Sequence, residues 1–470
     1  MIYATEGYLV WRLVGLRVRW NRVVAAIIAF PAIAAAVAAI QLIPTIAFLA
    51  QSSRADMSYL EAAHGYLLTA LPEILVPLWH GEKALSIGIA ALILAVLGAI
   101  RAWREPMAYW IVVALFALPL STGGQTPLFW LLYNVAPGWN LFRDQERVIV
   151  LFALSAALLA ARGVAEIENF RQNSRVVRVW PIVAGAVALL FLILYLASPA
   201  LDANGDLRAN FRLNAIVLAG VSVFLMLGAR RPSLGPIAGS LLVLLVTAET
   251  FTLDLGNNLG PTLPDPRPRL AATADFMRQL PEPFRVRGID ENVFPSNYGG
   301  LLGTPTIGGD TPFTLQRMND LLSSDADWHL WQILNVKFFL STGDALPGLT
   351  LAFQDGPLKT YRMGDSLPRT WAVTKIEVAR SSAEARSMIL EPSYHPGNIA
   401  VLEKAPSFGD VAAGPRPDVR IVQNDPQRVV IDATASQNAM LVLASQYYPD
   451  WQASRDGVAV EVFRANYVAM

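Results

Sequence analysis

The sequence predicts a helical membrane domain of about seven spans, followed by an extracytoplasmic α/β subdomain and a β-sandwich-like module. Three observations predict it. Charged residues make up only 16% of the 470-residue chain and hydrophobic residues 54%, with a mean hydropathy of +0.40, where an ordinary soluble protein carries roughly 25% charge. The charges are also uneven, with 32 of 74 in the first 255 positions and 42 in the last 215. Finally, arginine and lysine alternate between the loops that separate the apolar runs, as the positive-inside rule requires of a polytopic protein. The predicted domains are residues 1–255 (transmembrane), 256–415 (α/β) and 416–470 (sandwich-like).

Along the chain, the first fifteen residues hold Glu6 in an apolar stretch and read as the tail of a helix, neither a signal peptide nor a convincing span. From Val23 to Ser53 no residue is charged, which at 1.5 Å per residue spans a hydrocarbon core of about 30 Å. Further charge-free runs are Ala84 to Ile100, Pro106 to Leu120, Val148 to Ala161, Val179 to Leu201, Leu213 to Ala229 and Pro232 to Ala248. The run ending at Ala161 is short and needs Arg147 and Arg162 to snorkel. One set of alternate loops holds twelve basic residues: Arg12, Arg17, Arg19, Arg22, Arg101, Arg104, Arg162, Arg171, Arg175, Arg178, Arg230 and Arg231. The other holds six: Arg54, Lys83, Arg143, Arg147, Arg208 and Arg212. The first set is therefore cytoplasmic, and everything after Phe251 lies outside. Two outer-loop pieces, Tyr66 to Trp79 and the aromatic Pro127 to Trp139, are too short to cross and suit interfacial or re-entrant helices.

After the proline-rich stretch Pro261 to Pro268, helical patterns occur at Arg269 to Leu280, Thr314 to Leu322 and Ser382 to Leu390, the last with serines placed to cap before Glu384. Strand patterns occur at Val336 to Ser341, Leu358 to Met363, Trp371 to Val378 and Ile399 to Glu403. From about Pro415 only strands remain: Val419 to Gln423, Val429 to Ala433, Met440 to Ala444, and two flanking Asp456-Gly457, a type I′ hairpin signal.

Composition also excludes functions. A net charge of zero provides no basic field for nucleic acid. With no cysteine, disulfides, thiolate nucleophiles, zinc ribbons and iron-sulfur clusters are ruled out. The four histidines, His64, His80, His329 and His395, form no HxH or HxxxH pair, so no transition-metal site is expected. No cofactor is called for; a divalent cation held by carboxylates is left open without a motif to support it.

QLIPTIAFLAQSSR (Gln41 to Arg54), SYLEAA (Ser58 to Ala63) and TPLFWLLYNVAPGWNLFRDQER (Thr126 to Arg147), followed by LNVKFFLS (Leu334 to Ser341), LPRTWAV (Leu367 to Val373), YYPDWQASRDG (Tyr447 to Gly457) and FRANY (Phe463 to Tyr467), closely resemble, in order, blocks of the YfhO family of bacterial polytopic membrane proteins. The resemblance implies a type-C glycosyltransferase-like fold, a polyprenyl-phosphate sugar donor, and transfer to a glycan or glycolipid acceptor of the cell envelope outside the bacterial plasma membrane. It also implies that the catalytic carboxylate and further helices precede Met1 and that further strands follow Met470, the chain being a fragment at both ends.

Within that frame, Arg143 and Arg147 are the candidates for the donor phosphate, because the guanidinium fork donates parallel hydrogen bonds while keeping its charge. Their alternative role is an intraloop pair with Asp144 or Glu146. Arg54 and His80 are further phosphate candidates, set against a snorkelling arginine and an interfacial histidine. Asp56 and Glu61 are weak candidates for the carboxylate that deprotonates the acceptor, against ordinary loop acids. Glu73 lies in an apolar piece where a carboxylate is costly unless it faces a cavity; with Tyr59 it is a cavity-lining candidate. The remaining histidines are structural. The leading function is a polyprenyl-phosphate-sugar-dependent glycosyltransferase. The alternative is a non-catalytic membrane protein that binds surface glycans or assists their export. A transporter is a weaker third reading, with no internal repeat to support it.

Overall fold

The computed structural model describes residues 2–55, 57–76, 85–168, 175–199, 205–257, 266–280, 283–289, 294, 297–309, 311, 313–323, 328–344, 347–407 and 417–470. The chain divides into two compact units, Met1–Ile46 with Ala55–Thr262, and Ala47–Arg54 with Leu263–Met470.

The first unit is helical: α1 (Ile2–Gly15), α2 (Trp20–Leu49), α3 (Tyr59–Ala62), α4 (Ile89–Ala102), α5 (Ala108–Ser121), α6 (Pro127–Val135), α7 (Ile149–Glu168), α8 (Arg175–Ala197), α9 (Gly205–Arg230) and α10 (Gly235–Asn257). Five segments are long and apolar enough to cross a membrane: Trp20–Leu49, Gln145–Ile167, Val179–Ala197, Leu207–Arg230 and Gly235–Leu253, with mean hydropathies of 1.7 to 2.7. In α2 the apolar residues point in every direction, Ile40 being 89% and Val37 79% exposed, which suits a helix surrounded by hydrocarbon.

The expected seven runs all form helices, but two are shorter than expected. α4 and α5 have 14 residues each, about 21 Å, which falls short of the hydrocarbon thickness. The reason lies at their ends: the chain turns at Trp103 to Met107 between them, and Gly88, at φ +88°, breaks the helix before α4. The run at Val148 to Ala161 differs the other way. α7 continues to Glu168, and Arg162 does not snorkel: it donates to both carboxylate oxygens of Glu105 (3.0 and 2.8 Å) and pairs with Glu166 at 2.7 Å.

Close backbone approach holds this bundle together. A Cβ on Gly98 of α4 would lie 1.8 Å from Leu159 O, and one on Gly163 of α7 would lie 2.2 Å from Leu94 O, so only glycine fits the crossing, as in small-residue packing of membrane helices. Around it, Leu94, Leu97, Leu218, Leu225 and Leu242 are buried in one cluster. α1 runs beside α5, where Tyr109 Oη donates to Ala4 O at 2.6 Å, and its Tyr3 also lies 5.7 Å from Trp139 in the 3₁₀ turn Trp139–Leu141.

The second unit is α/β: α11 (Pro266–Arg278), β1 (Arg285–Gly288), α12 (Tyr298–Leu302), α13 (Gln316–Leu322), α14 (Trp328–Ile333), β2 (Val336–Ser341), β3 (Leu349–Asp355), β4 (Leu358–Met363), β5 (Thr370–Val373), β6 (Lys375–Val378), α15 (Ser382–Leu390), β7 (Ile399–Leu402), β8 (Asp418–Asp425), β9 (Arg428–Thr434), β10 (Met440–Leu443), β11 (Ala453–Arg455) and β12 (Val458–Val460). A mixed sheet runs β1-β2-β4-β3, with β1 parallel to β2. On one side Leu270, Ala274 and Met277 of α11 pack with Phe338 and Leu358. The run Trp371 to Val378, expected as one strand, divides between two partners: β5 pairs with β10 and β6 runs parallel to β7.

The tail after residue 415 has two parts. β8–β9 and β11–β12 are hairpins, the second turning at Asp456 and Gly457 with φ of +51° and +82°, as the Asp-Gly pair predicts. The rest joins the preceding core. β10 pairs with β5 in the register Met440↔Val373, and Ala465, Tyr467, Val468 and Ala469 are buried with Met318, Trp371 and Leu402. Asn466 replaces a strand at the edge of β7: its N–H donates to Val401 O (2.8 Å) and its Oδ1 accepts from Val401 N (2.9 Å). The expected sandwich-like module is therefore not separate from the α/β part, because its central strand completes a sheet begun seventy residues upstream.

Candidate functional site

Within the first unit, residues 58–68 fold against residues 121–145. Ser58 starts α3 with a capping box: Ser58 N–H and Oγ–H donate to Glu61 Oε2 (2.8 and 2.9 Å), and Glu61 N–H donates to Ser58 Oγ (3.3 Å). The chain then meets the turn that follows α5, with Tyr66 N–H donating to Ser121 O and Gly124 N–H to Ala63 O, both at 2.9 Å. Gly123 makes this possible. Its φ is +59° and a Cβ there would lie 2.1 Å from Ala63 O, so both backbone shape and space call for glycine. Gln125 clamps the junction, donating to Tyr66 O (2.7 Å) and accepting from Leu68 N–H (3.0 Å). Pro127 opens α6 at the position where a missing N–H costs nothing, and the buried Phe129 and Tyr133 hold Tyr59 edge-on, 5.1 Å from Tyr133.

Gln145 closes this platform. It is 3% exposed, donates from Nε2 to Ala62 O (3.1 Å) and Phe142 O (3.0 Å), accepts from Trp139 Nε1 (3.2 Å), and gives its N–H to His64 O (2.7 Å). It fixes where the neighbouring charges point. Asp144, in the left-handed region at φ +62°, takes Arg147 Nη2 at 3.0 Å and Arg143 Nε at 3.5 Å. With Arg143 half exposed and Arg147 mostly exposed, these pairs contribute at most about 1 kcal/mol each, and most of each guanidinium's donors remain turned to solvent. Hydrogen bonds from the Ser58 backbone and hydroxyl, and then the Arg143 charge, hold the Glu61 carboxyl below its usual range.

The platform thus brings together Tyr59, Glu61, Arg143 and Arg147. Glu73 is fully buried on the 3₁₀ helix Leu68–Ile74. Arg54 belongs to the second unit, where its guanidinium lies 5.2 Å from the Phe313 ring centre. Asp56 and His80 lie outside the described residues. Among the described residues no three His, Asp or Glu side chains are grouped to hold a metal ion.

Two residues escaped the sequence reading. Gln145 sits between charged neighbours and looks like one more exposed polar residue. Glu249, 2% exposed in α10, accepts from the N–H groups of Ile89 (2.7 Å) and Ala90 (3.0 Å) and so caps α4 from another helix, the placement that the positive end of a helix favours. A lone carboxylate in an apolar run was the available signal for Glu249; Gln145 carries none. No family model, curated protein or solved structure matches this chain.

Proposed function

We propose that the protein is a membrane glycosyltransferase, or the greater part of one, of the kind the YfhO-like blocks imply. In this reading the chain crosses the bacterial plasma membrane seven times, with α4 and α5 as a short pair in locally thinned bilayer. Residues 256–470 are extracytoplasmic, on the strength of twelve basic residues against six in alternate loops. The donor is a polyprenyl-phosphate sugar and the acceptor a cell-envelope glycan or glycolipid.

The observation that carries the proposal is that residues 58–68 and 121–147 form one braced platform on which Arg143 and Arg147 keep exposed guanidinium donors. An acceptor hydroxyl attacks the anomeric carbon and gives its proton to a general base, the carboxylate that the resemblance implies, while the bond to the phosphate oxygen breaks and the lipid phosphate leaves with the negative charge. The two arginines stabilise that charge as it develops, where fixed donors act most strongly, and Asp144 holds them at the right separation. Tyr59 lines the approach, whereas Glu73 is fully buried and does not. Glu61, tied to Ser58 and acidic, contributes field and not a base, since an efficient base has a pKa near the working pH.

In full-length protein, Arg143→Ala or Arg147→Ala should lower transfer from a polyprenyl-phosphate sugar on the order of 10²-fold, with little change in melting temperature because both side chains are exposed. Undiminished transfer in both variants overturns the phosphate assignment. One observation favours the non-catalytic reading: both arginines already share Asp144, and Glu61 is already a cap. Retention of labelled donor without turnover by the full-length protein would decide for glycan binding or export.

A further inference from the structure

The second unit contains a cavity of about 340 Å³, within the size range of small-molecule sites, about 300–1,000 Å³. Phe48, Thr306, Phe313, Ser445 and the guanidinium-bearing Arg285 are on its wall. Phe48 stands in the last turn of α2, whose Ala47–Leu49 residues belong to this unit. Arg285 Nη1 donates to Leu334 O (2.8 Å) and Ala444 O (2.9 Å). Directly behind, Arg369 Nη1 donates to the same Ala444 O and its Nη2 reaches Ser445 Oγ at 3.4 Å.

Two guanidinium groups therefore meet at one carbonyl beside a cavity. Among the described residues neither pairs with a carboxylate, and Arg369 Nε is buried without a hydrogen-bond partner. Such an arrangement is costly, since buried charge is normally paired and like charges repel. Burial, and then the charge of Arg369, push Arg285 down to about 9.

We propose that this cavity binds a phosphate monoester, its oxygens facing Arg285 and Ser445 and its second charge balanced by Arg369. Two positive charges without a described carboxylate match a dianion better than a monoanionic carboxylate, and the planar fork matches phosphate geometry. Phe48 and Phe313 supply an apolar wall for whatever carries the phosphate. That carrier is either a lipid, reached from the end of α2, or a soluble phosphate ester. The site is distinct from the Arg143–Arg147 platform, and its test reads binding and not transfer, so failure here leaves the glycosyl-transfer reading untouched.

The test is calorimetric titration of the detergent-purified full chain, in an Arg143→Ala/Arg147→Ala background that removes the platform arginines. The probes are inorganic phosphate and dihexanoyl phosphatidic acid, with dihexanoyl phosphatidylcholine as the control without a monoester. Saturable binding of either phosphate probe, weakened at least tenfold by Arg369→Gln, is expected. Phosphatidic acid binding at least tenfold tighter than phosphate identifies a lipid carrier; equal or weaker binding identifies a soluble one. Ser445→Asp guards against misfolding of the arginine variants: an internal carboxylate should abolish phosphate binding and raise the melting temperature. No saturable binding by either probe, or binding within twofold of the parent in Arg285→Gln, Arg369→Gln and Ser445→Asp alike, overturns the proposal.

Discussion

Gln145→Ala removes three side-chain hydrogen bonds at the point where residues 62–64 meet residues 139–145, without touching a charged residue. The three orphaned groups are not equal. Ala62 is fully buried, so its carbonyl cannot be rehydrated, whereas the carbonyl of the exposed Phe142 and the indole N–H of the partly exposed Trp139 regain water when the platform loosens. One buried orphan at about 1–3 kcal/mol and two ordinary bonds at about 0.5–1.5 kcal/mol each overlap partly, giving a local destabilisation of about 2–4 kcal/mol. At 1.4 kcal/mol per tenfold, the open state rises roughly 30- to 700-fold. The chain has no native cysteine, so Ala62→Cys alone reports this opening through its rate of labelling by a thiol reagent. Gln145→Glu is the sharper variant: it keeps the shape and the acceptor for Trp139 but turns carboxylate oxygens toward the carbonyls of Ala62 and Phe142, and should open the platform at least as much. A rate change below about threefold in both variants would refute the bracing role of Gln145.

Valine at Gly98 or Gly163 must separate α4 from α7, because each new Cβ meets main-chain oxygen; a loss of about 3 kcal/mol or more is expected, seen as failure to recover monodisperse protein, and normal recovery would contradict the crossing. Hydrogen bonds from Arg162 hold Glu105 below its ordinary value near 4.5. A lowered folded-state pKa contributes stability fully above that ordinary value and loses it as pH falls through the folded one. The difference in melting temperature between the parent and Glu105→Gln should thus be constant at neutral pH and vanish in acid; a difference that grows in acid would reverse the sign of the argument. For orientation, an impermeant thiol reagent should label Ser407→Cys in intact cells and Ser233→Cys only after permeabilisation, and the opposite pattern would invert the topology.

The sequence was most informative where structure follows from local pattern. β2, β4 and α15 occupy the residues read from alternation, helical period and a serine cap, because those signals arise within a few residues of chain: Ser381 accepts from Glu384 N–H, three positions on. Partners are a different matter. Periodicity identifies Met440 to Ala444 as a strand but contains nothing about Thr370 to Val373, the strand it joins, so the tail read as a module of its own. Arg162 looked like a snorkelling residue for the same reason: Glu105, which satisfies it, lies 57 positions away. Hydropathy runs count apolar residues and not helix ends, so the 14-residue length of α4 and α5 is not visible in them.

The same division runs through the candidate site. Arg143, Arg147 and Glu61 stand out in the sequence because charge beside an apolar run is expensive and therefore conspicuous. What fixes their directions is neutral: Gly123, which alone fits against Ala63 O, Gln125, and Gln145 with its three side-chain bonds. These residues carry no compositional signal, since an amide or a glycine in a loop is ordinary until its surroundings are known. The arginines of the second unit make the point in reverse. Arg285 and Arg369 are charged and therefore conspicuous, yet 84 positions apart nothing marks them as neighbours, and only the fold places both on Ala444 O. A charge is thus legible as a cost, and a local partner such as Asp144 is legible with it, while a distant one such as Glu105 is set by tertiary contact. It follows that a search for sites in a chain of this kind should begin from buried cations whose described surroundings contain no acid, and here that criterion selects the Arg285–Arg369 cavity.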